Sequence, residues 1–442
     1  MQFSLPQFFI DPLLRAPTIG SMLLGFVSAL MGVIVFIKKR SLIGETLSHA
    51  AYPGLILGAL ISLFFSEVGS MFFLLGACIT SFLGLFVIEK LESRFNIHPD
   101  SALCLVLSLF LGAGVLFASH LQFISPLSDQ SAQVFLYGQA ATMNDFHILF
   151  YSGLSFVVLT FFILNFRRLE ITLFDQTFSK SFGVESKQLN SSIFILIIIT
   201  LVIGIRSMGV VLISGMLIAP VAAARQWTYN LSGFIILSGL FGLMSGFCGN
   251  YFSIQIPLWI EKENAFTLPT GPMVLLSASC TSLFSFLFAR KKGAVNRTIR
   301  AFCFRFQCLA ENILKTFWKE EKNFLTKEDI LKSNTIAPLI LSVVLGVLKR
   351  GGWIAQKNRH GYSLTEGGMI RASRLVRLHR LWELYLASSM KIGEEKVHRS
   401  AEEMEHILTP EIEKKLTELL KNPKIDPHKQ PIPNIEGMLC NK

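Results

Sequence analysis

Nine stretches of almost unbroken apolar residues leave this chain few folds to choose from. They lie near 18–37, 51–66, 70–88, 101–118, 146–164, 193–205, 210–222, 231–248 and 273–289. A backbone in lipid must satisfy its own N–H and C=O groups, which a helix does within one segment of about 20 residues. Of the 442 residues, 51% are hydrophobic and only 16% are charged, a combination rare in soluble globular chains. Residues 1–290 therefore read as an all-α polytopic membrane domain. The runs at 193–205 and 210–222 are individually short, so they give eight spans as one broken helix and nine as two.

Positive charge arbitrates between these counts, because short cytoplasmic loops carry the excess of Lys and Arg. "KKR" at 38–40 follows the first run and "ARKKG" follows the last. Both are cytoplasmic only if the number of crossings is odd, which predicts about nine transmembrane helices with the N-terminus outside. The loops agree: Lys90, Arg94, Arg167, Arg168, Lys180, Lys187 and Arg225 fall inside by this count, against Arg15, Arg206 and Lys262 outside. The expected location is a cytoplasmic membrane with the C-terminal region in the cytoplasm. The N-terminus lacks the basic start and small-residue site of a cleaved signal peptide. The seven cysteines form no C-x-x-C pair and read as buried, inert thiols.

After Arg290 the texture changes. Residues 291–308, "KKGAVNRTIRAFCFRFQC", are basic and aromatic and read as a juxtamembrane linker drawn to anionic membrane lipid. From about 309 the pattern is that of a soluble helical region. Thr326 can cap a short helix with acids in its first turn. "SN" at 333–334 suits a turn, and a second helix runs to Arg350 before "GG". Short strands near 353–357 and 361–364 flank "NRHG". A helix–turn–helix followed by a β-wing is a DNA-binding arrangement that sends the second helix into the major groove. That helix, "IAPLILSVVLGVLKR", offers few polar side chains to base edges. Ser342, Lys349 and Arg350, with Lys357 and Arg359 from the wing, are the candidate DNA contacts, mostly to phosphate.

Two sets of residues suggest metal chemistry. Glu45 and His49 stand i, i+4 at a span entrance, where ionisable groups are costly and tend to line a pathway. An interfacial, solvated helix start is the alternative. In the tail, "KVHRSAEEMEH" places His398, Glu402, Glu405 and His406 on one helix face, and "HRLWE" places His379 and Glu383 at i, i+4. Nitrogen and oxygen donors without thiolate suit Mn(II) or Fe(II) better than Cu(I), and Zn(II) also takes such ligands. Ordinary ion pairs, with Glu402 and Glu403 near Arg399, are the competing explanation.

The membrane half resembles the integral-membrane permeases of ATP-driven manganese, zinc and iron importers. The carriers are Gly44, Glu45, Thr46, Leu47, Ser48, His49, Pro53 and Gly54, with "GVVLISGMLIAPVAAARQWT" at 209–228 and "LFDQTFSKSFGV" at 173–184. The resemblance implies that Glu45 and His49 coordinate the passing metal. It also implies that the segment holding Phe174, Asp175 and Gly183 docks on the ATPase. Thr267 stands where the family has an acid. No G-x-x-x-x-G-K-[ST] phosphate loop occurs, so the chain reads as a transport subunit and not an enzyme. Its implied partners are a separate ATP-binding cassette ATPase subunit, an extracytoplasmic metal-binding protein and a second permease copy.

The tail, about 309–434, resembles the diphtheria toxin repressor family of metal-dependent regulators. "LTEGGMIRASRLVRLHRLWELYL", "KVHRSAEEMEH" and "TELLKNPKIDPHKQPIPN" carry the likeness. It implies a small α/β winged-helix domain at 309–370 and a helical metal-binding and dimerisation domain at 371–442, binding operator DNA as a homodimer. By the match, His379, Glu383 and His398 form one metal site, and Glu402, Glu405 and His406 the other. Glu at 402 leans toward manganese, and the ligand position on the first helix falls on Asn312. The expectation is a divalent-metal permease fused to a metal-dependent repressor that gives feedback control of uptake, with release of the tail by cleavage near 291–308. The alternative is a tail that senses metal and gates transport without binding DNA.

Overall fold

The computed structural model describes residues 5–64, 69–126, 138–174, 179, 181, 186–260, 268–290, 292–320, 324–333, 336–357, 361–389, 404, 406 and 409–433. Two compact units divide the chain, Met1–Arg297 and Thr298–Lys442.

In the first unit each apolar run becomes one helix: α1 (Pro12–Ile37), α2 (Ile43–Ser62), α3 (Gly69–Phe95), α4 (Pro99–Ile124), α5 (Asp145–Phe174), α6 (Ser186–Met208), α7 (Val210–Trp227), α8 (Leu231–Ile260) and α9 (Thr270–Phe288). The two short runs are separate helices divided by Gly209, whose φ of 84° only glycine adopts without strain. Seven of the nine are long and apolar enough to cross a membrane; α2 and α7 are the exceptions. Both lie in the interior. Leu47, Ala50, Ala51 and Leu55 of α2 and Ile213, Met216, Leu217 and Val221 of α7 are buried. Helices surrounded by other helices need less lipid-facing hydrophobicity, which is why α2 can bury Thr46 and Ser48.

Lipid supplies no hydrophobic drive between helices, so close approach of backbones must supply the attachment. At the α2–α3 crossing, a Cβ on Gly54 would collide with the carbonyl oxygen of Gly76, and the reverse also holds. Gly54→Ala is therefore expected to destabilise the unit by about 1–3 kcal/mol, the usual range for overpacking. Gly153→Ala, whose Cβ meets nothing within 4 Å, serves as the control. Thermal stability of the detergent-solubilised protein, read by size-exclusion chromatography, makes the comparison. Equal stability of the two variants refutes the tight crossing.

The second unit holds α10 (Ala294–Lys319, which begins just before the division), β1 (Leu325–Thr326), α11 (Lys327–Ser333), α12 (Pro338–Arg350), β2 (Ile354–Gln356), β3 (Gly361–Leu364), α13 (Glu366–Ser389) and α14 (Pro410–Leu419). The wing strands pair antiparallel, Ile354 opposite Leu364, and β1 adds a third strand on the other side of β3. Thr326 starts α11 through a reciprocal cap: the Asp329 N–H donates to its Oγ1 at 3.3 Å, and its own N–H donates to Asp329 Oδ2 at 3.0 Å. Ile313, Leu314, Phe317, Ile330, Leu341, Val344, Leu345 and Leu348 close one core among α10, α11 and α12.

Candidate metal centre, transport pathway and DNA-facing surface

Helix α13 carries His379 and Glu383 on a buried face, with His379 Nε2 3.2 Å from Glu383 Oε1. Arg377 and Arg380 of the same helix hold the Pro-rich ending in place. Arg377 donates to the Pro433 carbonyl at 3.0 Å. Arg380 donates to the carbonyl of Pro431 and to Gln430 Oε1, and lies 3.5 Å from Asp426 Oδ2. The motif that marks the tail in sequence is thus clamped onto the helix that bears the candidate ligands.

Two side chains of α10 complete this neighbourhood, and local sequence pattern pointed to neither. Glu311 Oε2 lies 2.8 Å from His406 Nδ1, and Glu311 Oε1 accepts from Arg371 Nη2 at 2.8 Å. Burial pushes the Glu311 carboxyl up, but hydrogen bonds from His406, Arg371 and Gln307 outweigh it and hold it at about 2. Lys315, also buried, places its Nζ 3.2 Å from His379 Nδ1. Asn312 is half-buried next to Glu311, and its backbone carbonyl accepts from Thr316 Oγ1 at 3.0 Å. His398, Glu402 and Glu405 lie outside the described residues, and among those described no three His, Cys, Asp or Glu converge as a metal cage.

The two histidines differ in their fitness for metal. A carboxylate accepting one ring N–H leaves the lone pair on the other nitrogen, the usual arrangement behind a ligating imidazole. His406, backed by Glu311, has that arrangement. His379 has the Glu383 carboxylate at Nε2 but meets Lys315 at Nδ1, and an ammonium can only donate. With Lys315 as the donor, Nδ1 accepts and the ring proton sits on Nε2, facing Glu383. His379, Glu383, Lys315 and Arg380 also line a cavity of about 1230 Å³.

In the membrane unit, Glu45 sits uncovered at the start of α2 and His49 is half-buried one turn on. His49 Nδ1 and Ser48 Oγ are buried with no hydrogen-bond partner among the described residues. A buried polar atom without a partner calls for water or a ligand. Phe174 ends α5 in an exposed position, while Asp175, Gly183 and Thr267 lie outside the described residues.

On the candidate DNA face, Ser342, Lys349, Arg350 and Lys357 are exposed and Arg359 lies outside the described residues. Ser342 Oγ is turned back to the Pro338 carbonyl at 3.1 Å, and Lys349 Nζ donates to Gln356 Oε1 at 2.8 Å. Between them the outer face of α12 is apolar: Leu339 is 83% exposed and Val343 58%.

A bundle of apolar helices joined to a winged-helix unit defines a membrane permease fused to a repressor-type regulator. The "ABC 3 transport family" matches residues 10–289, and the "Iron dependent repressor, metal binding and dimerisation domain" matches residues 365–434. A probable metal transport system membrane protein of Chlamydia trachomatis is 35% identical over 445 residues, covering 96% of this chain and 97% of that protein. The manganese transport system membrane protein MntC of Bacillus subtilis is 32% identical, covering 85% of this chain and 84% of its own length. PsaBC from Streptococcus pneumoniae in complex with Fab shares the fold with a TM-score of 0.55 at 24% identity, covering 65% of this chain and 95% of that one. The chain belongs to the ABC 3 transport family and continues into an iron-dependent-repressor region.

Proposed function

We propose that this protein is the membrane subunit of an ATP-driven divalent metal importer whose cytoplasmic tail senses the same metal and represses uptake genes. Glu45 and His49 would pass the ion through the membrane unit, with energy from a separate ATPase and delivery by an external metal-binding protein. Donor chemistry and the names of relatives favour Mn(II), with Fe(II) and Zn(II) as the other candidates. The observation that carries the reading is the Glu311–His406 pair, a histidine already oriented as a ligand within a repressor-type region attached to a permease. Glu402, Glu405 and His406 would hold the metal, which when bound fixes the DNA-competent arrangement of a tail dimer. Such a shift requires that arrangement to hold metal more tightly than its rival.

A second reading keeps the tail off DNA, as a sensor that throttles transport directly. The apolar outer face of α12 favours it, since base readout needs hydrogen-bonding side chains. A gel shift of the detergent-solubilised full chain on its own promoter separates the two. The repressor reading predicts a shift that needs Mn(II) and disappears in His406→Ala. No shift at any metal concentration, with metal-dependent change in uptake, establishes the second. Blotting cells for a released tail tests whether cleavage near 291–308 brings it to the chromosome.

A further inference from the structure

We propose that Lys315 closes the His379–Glu383 position to divalent metal, so that the tail holds its cation on the His406 side alone. The inference deepens the reading of the tail as a metal sensor and rests on it. The two histidines meet side chains of opposite hydrogen-bonding sense from one helix. His406 faces a carboxylate of α10 at 2.8 Å, and His379 faces the ammonium of α10 at 3.2 Å, four residues further along.

An imidazole that binds a metal through one nitrogen keeps a proton on the other, and that proton needs an acceptor. Were a cation to sit on His379 Nε2 beside Glu383, Nδ1 would carry the proton and point it at Lys315, which has no lone pair to offer. The geometry therefore locks the opposite tautomer, with Nδ1 accepting and Nε2–H directed at Glu383 Oε1, 3.2 Å away. Lys315 and Glu383 are both buried, so neither is readily replaced by solvent. The surroundings reinforce the effect. Among the described residues the cavity here is lined by Lys315, Lys319, Lys357 and Arg380 against Glu383 and Asp426, a positive balance that disfavours a further dication.

The test counts bound Mn(II) on the purified full chain by the electron paramagnetic resonance signal of free Mn(II). His379→Ala is expected to bind as many ions per chain as the wild type, and Lys315→Arg, still a pure donor, likewise. Lys315→Gln offers a carbonyl that accepts the Nδ1–H, and is expected to gain one Mn(II) per chain. That gain is lost again in Lys315→Gln/His379→Ala. Should Lys315→Gln fail to accumulate, the wild type against His379→Ala comparison stands by itself. Loss of an ion in His379→Ala, or no gain in a folded Lys315→Gln, overturns the proposal. Failure of the sensor reading has a different signature: His406→Ala then binds as many ions as the wild type.

Discussion

His49→Ala is expected to lower metal uptake by about 100-fold or more in cells that insert the protein at wild-type levels. Losing even an outer-shell partner costs a metal site roughly 10- to 100-fold in affinity or activity, and a direct ligand costs no less. The physical basis is specific to this ring. Its Nδ1 is enclosed by protein yet has no hydrogen-bond partner among the described residues, a state whose desolvation cost is otherwise unrepaid. One turn earlier Glu45 is uncovered at the helix start, so a carboxylate and an imidazole stand on one face of α2. Glu45→Gln, which keeps shape and loses charge, should show the same direction with a smaller effect. Uptake of radioactive manganese in cells lacking other importers makes the measurement, with membrane insertion checked by blot. Wild-type uptake in His49→Ala would remove this ring from the pathway and return Glu45 and His49 to an idle helix start.

Arg380→Ala is expected to unfold the tail while leaving the membrane unit intact. The Arg380 guanidinium holds Gln430 Oε1 at 2.6 Å and the Pro431 carbonyl, and lies over the ring of Trp318 at 5.6 Å. It also neutralises Asp426, whose side chain is only 3% exposed. Removing one partner of a buried pair leaves an uncompensated charge and costs about 3–5 kcal/mol, a large part of the roughly 5–15 kcal/mol that stabilises a domain. Limited proteolysis of the full chain should cut the tail at protease levels that spare the wild type. Asp426→Asn in the same molecule should restore part of the loss, because its oxygen still accepts the Gln430 N–H that Asp426 Oδ1 takes at 2.6 Å. Arg380→Lys should rescue little, since an ammonium does not reproduce the planar fork. A protease-resistant Arg380→Ala tail would show that the Pro-rich ending is held by its own turns.

The separate surroundings of the two candidate histidines show where sequence reading reaches its end. Both stood out from the amino-acid order, His379 by its i, i+4 partner Glu383 and His406 by the acids beside it. The side chains that decide their chemistry did not stand out. Glu311 is 95 residues from His406, and Lys315 is 64 from His379. Arg377 and Arg380 were hidden differently: they recur at spacing three in a helix rich in arginine, a pattern indistinguishable from a solvated face until the Pro-rich ending folds over it. The apolar outer face of α12 was the opposite case, legible as "PLILSVVLGVLKR" before any fold was known.

What the sequence determined by itself was whatever depends on near neighbours. Nine apolar runs became nine helices because a backbone in lipid must close its hydrogen bonds locally, Gly209 ended one helix and began the next, and Thr326 with Asp329 started α11 through a cap spanning three residues. Which side chain faces which imidazole was decided only by tertiary packing. The rotation of α10 against α13 and its neighbours brings a carboxylate to His406 and an ammonium to His379, and a one-residue shift of α10, about 100° of rotation, would turn both side chains away with no change in either helix's own periodicity.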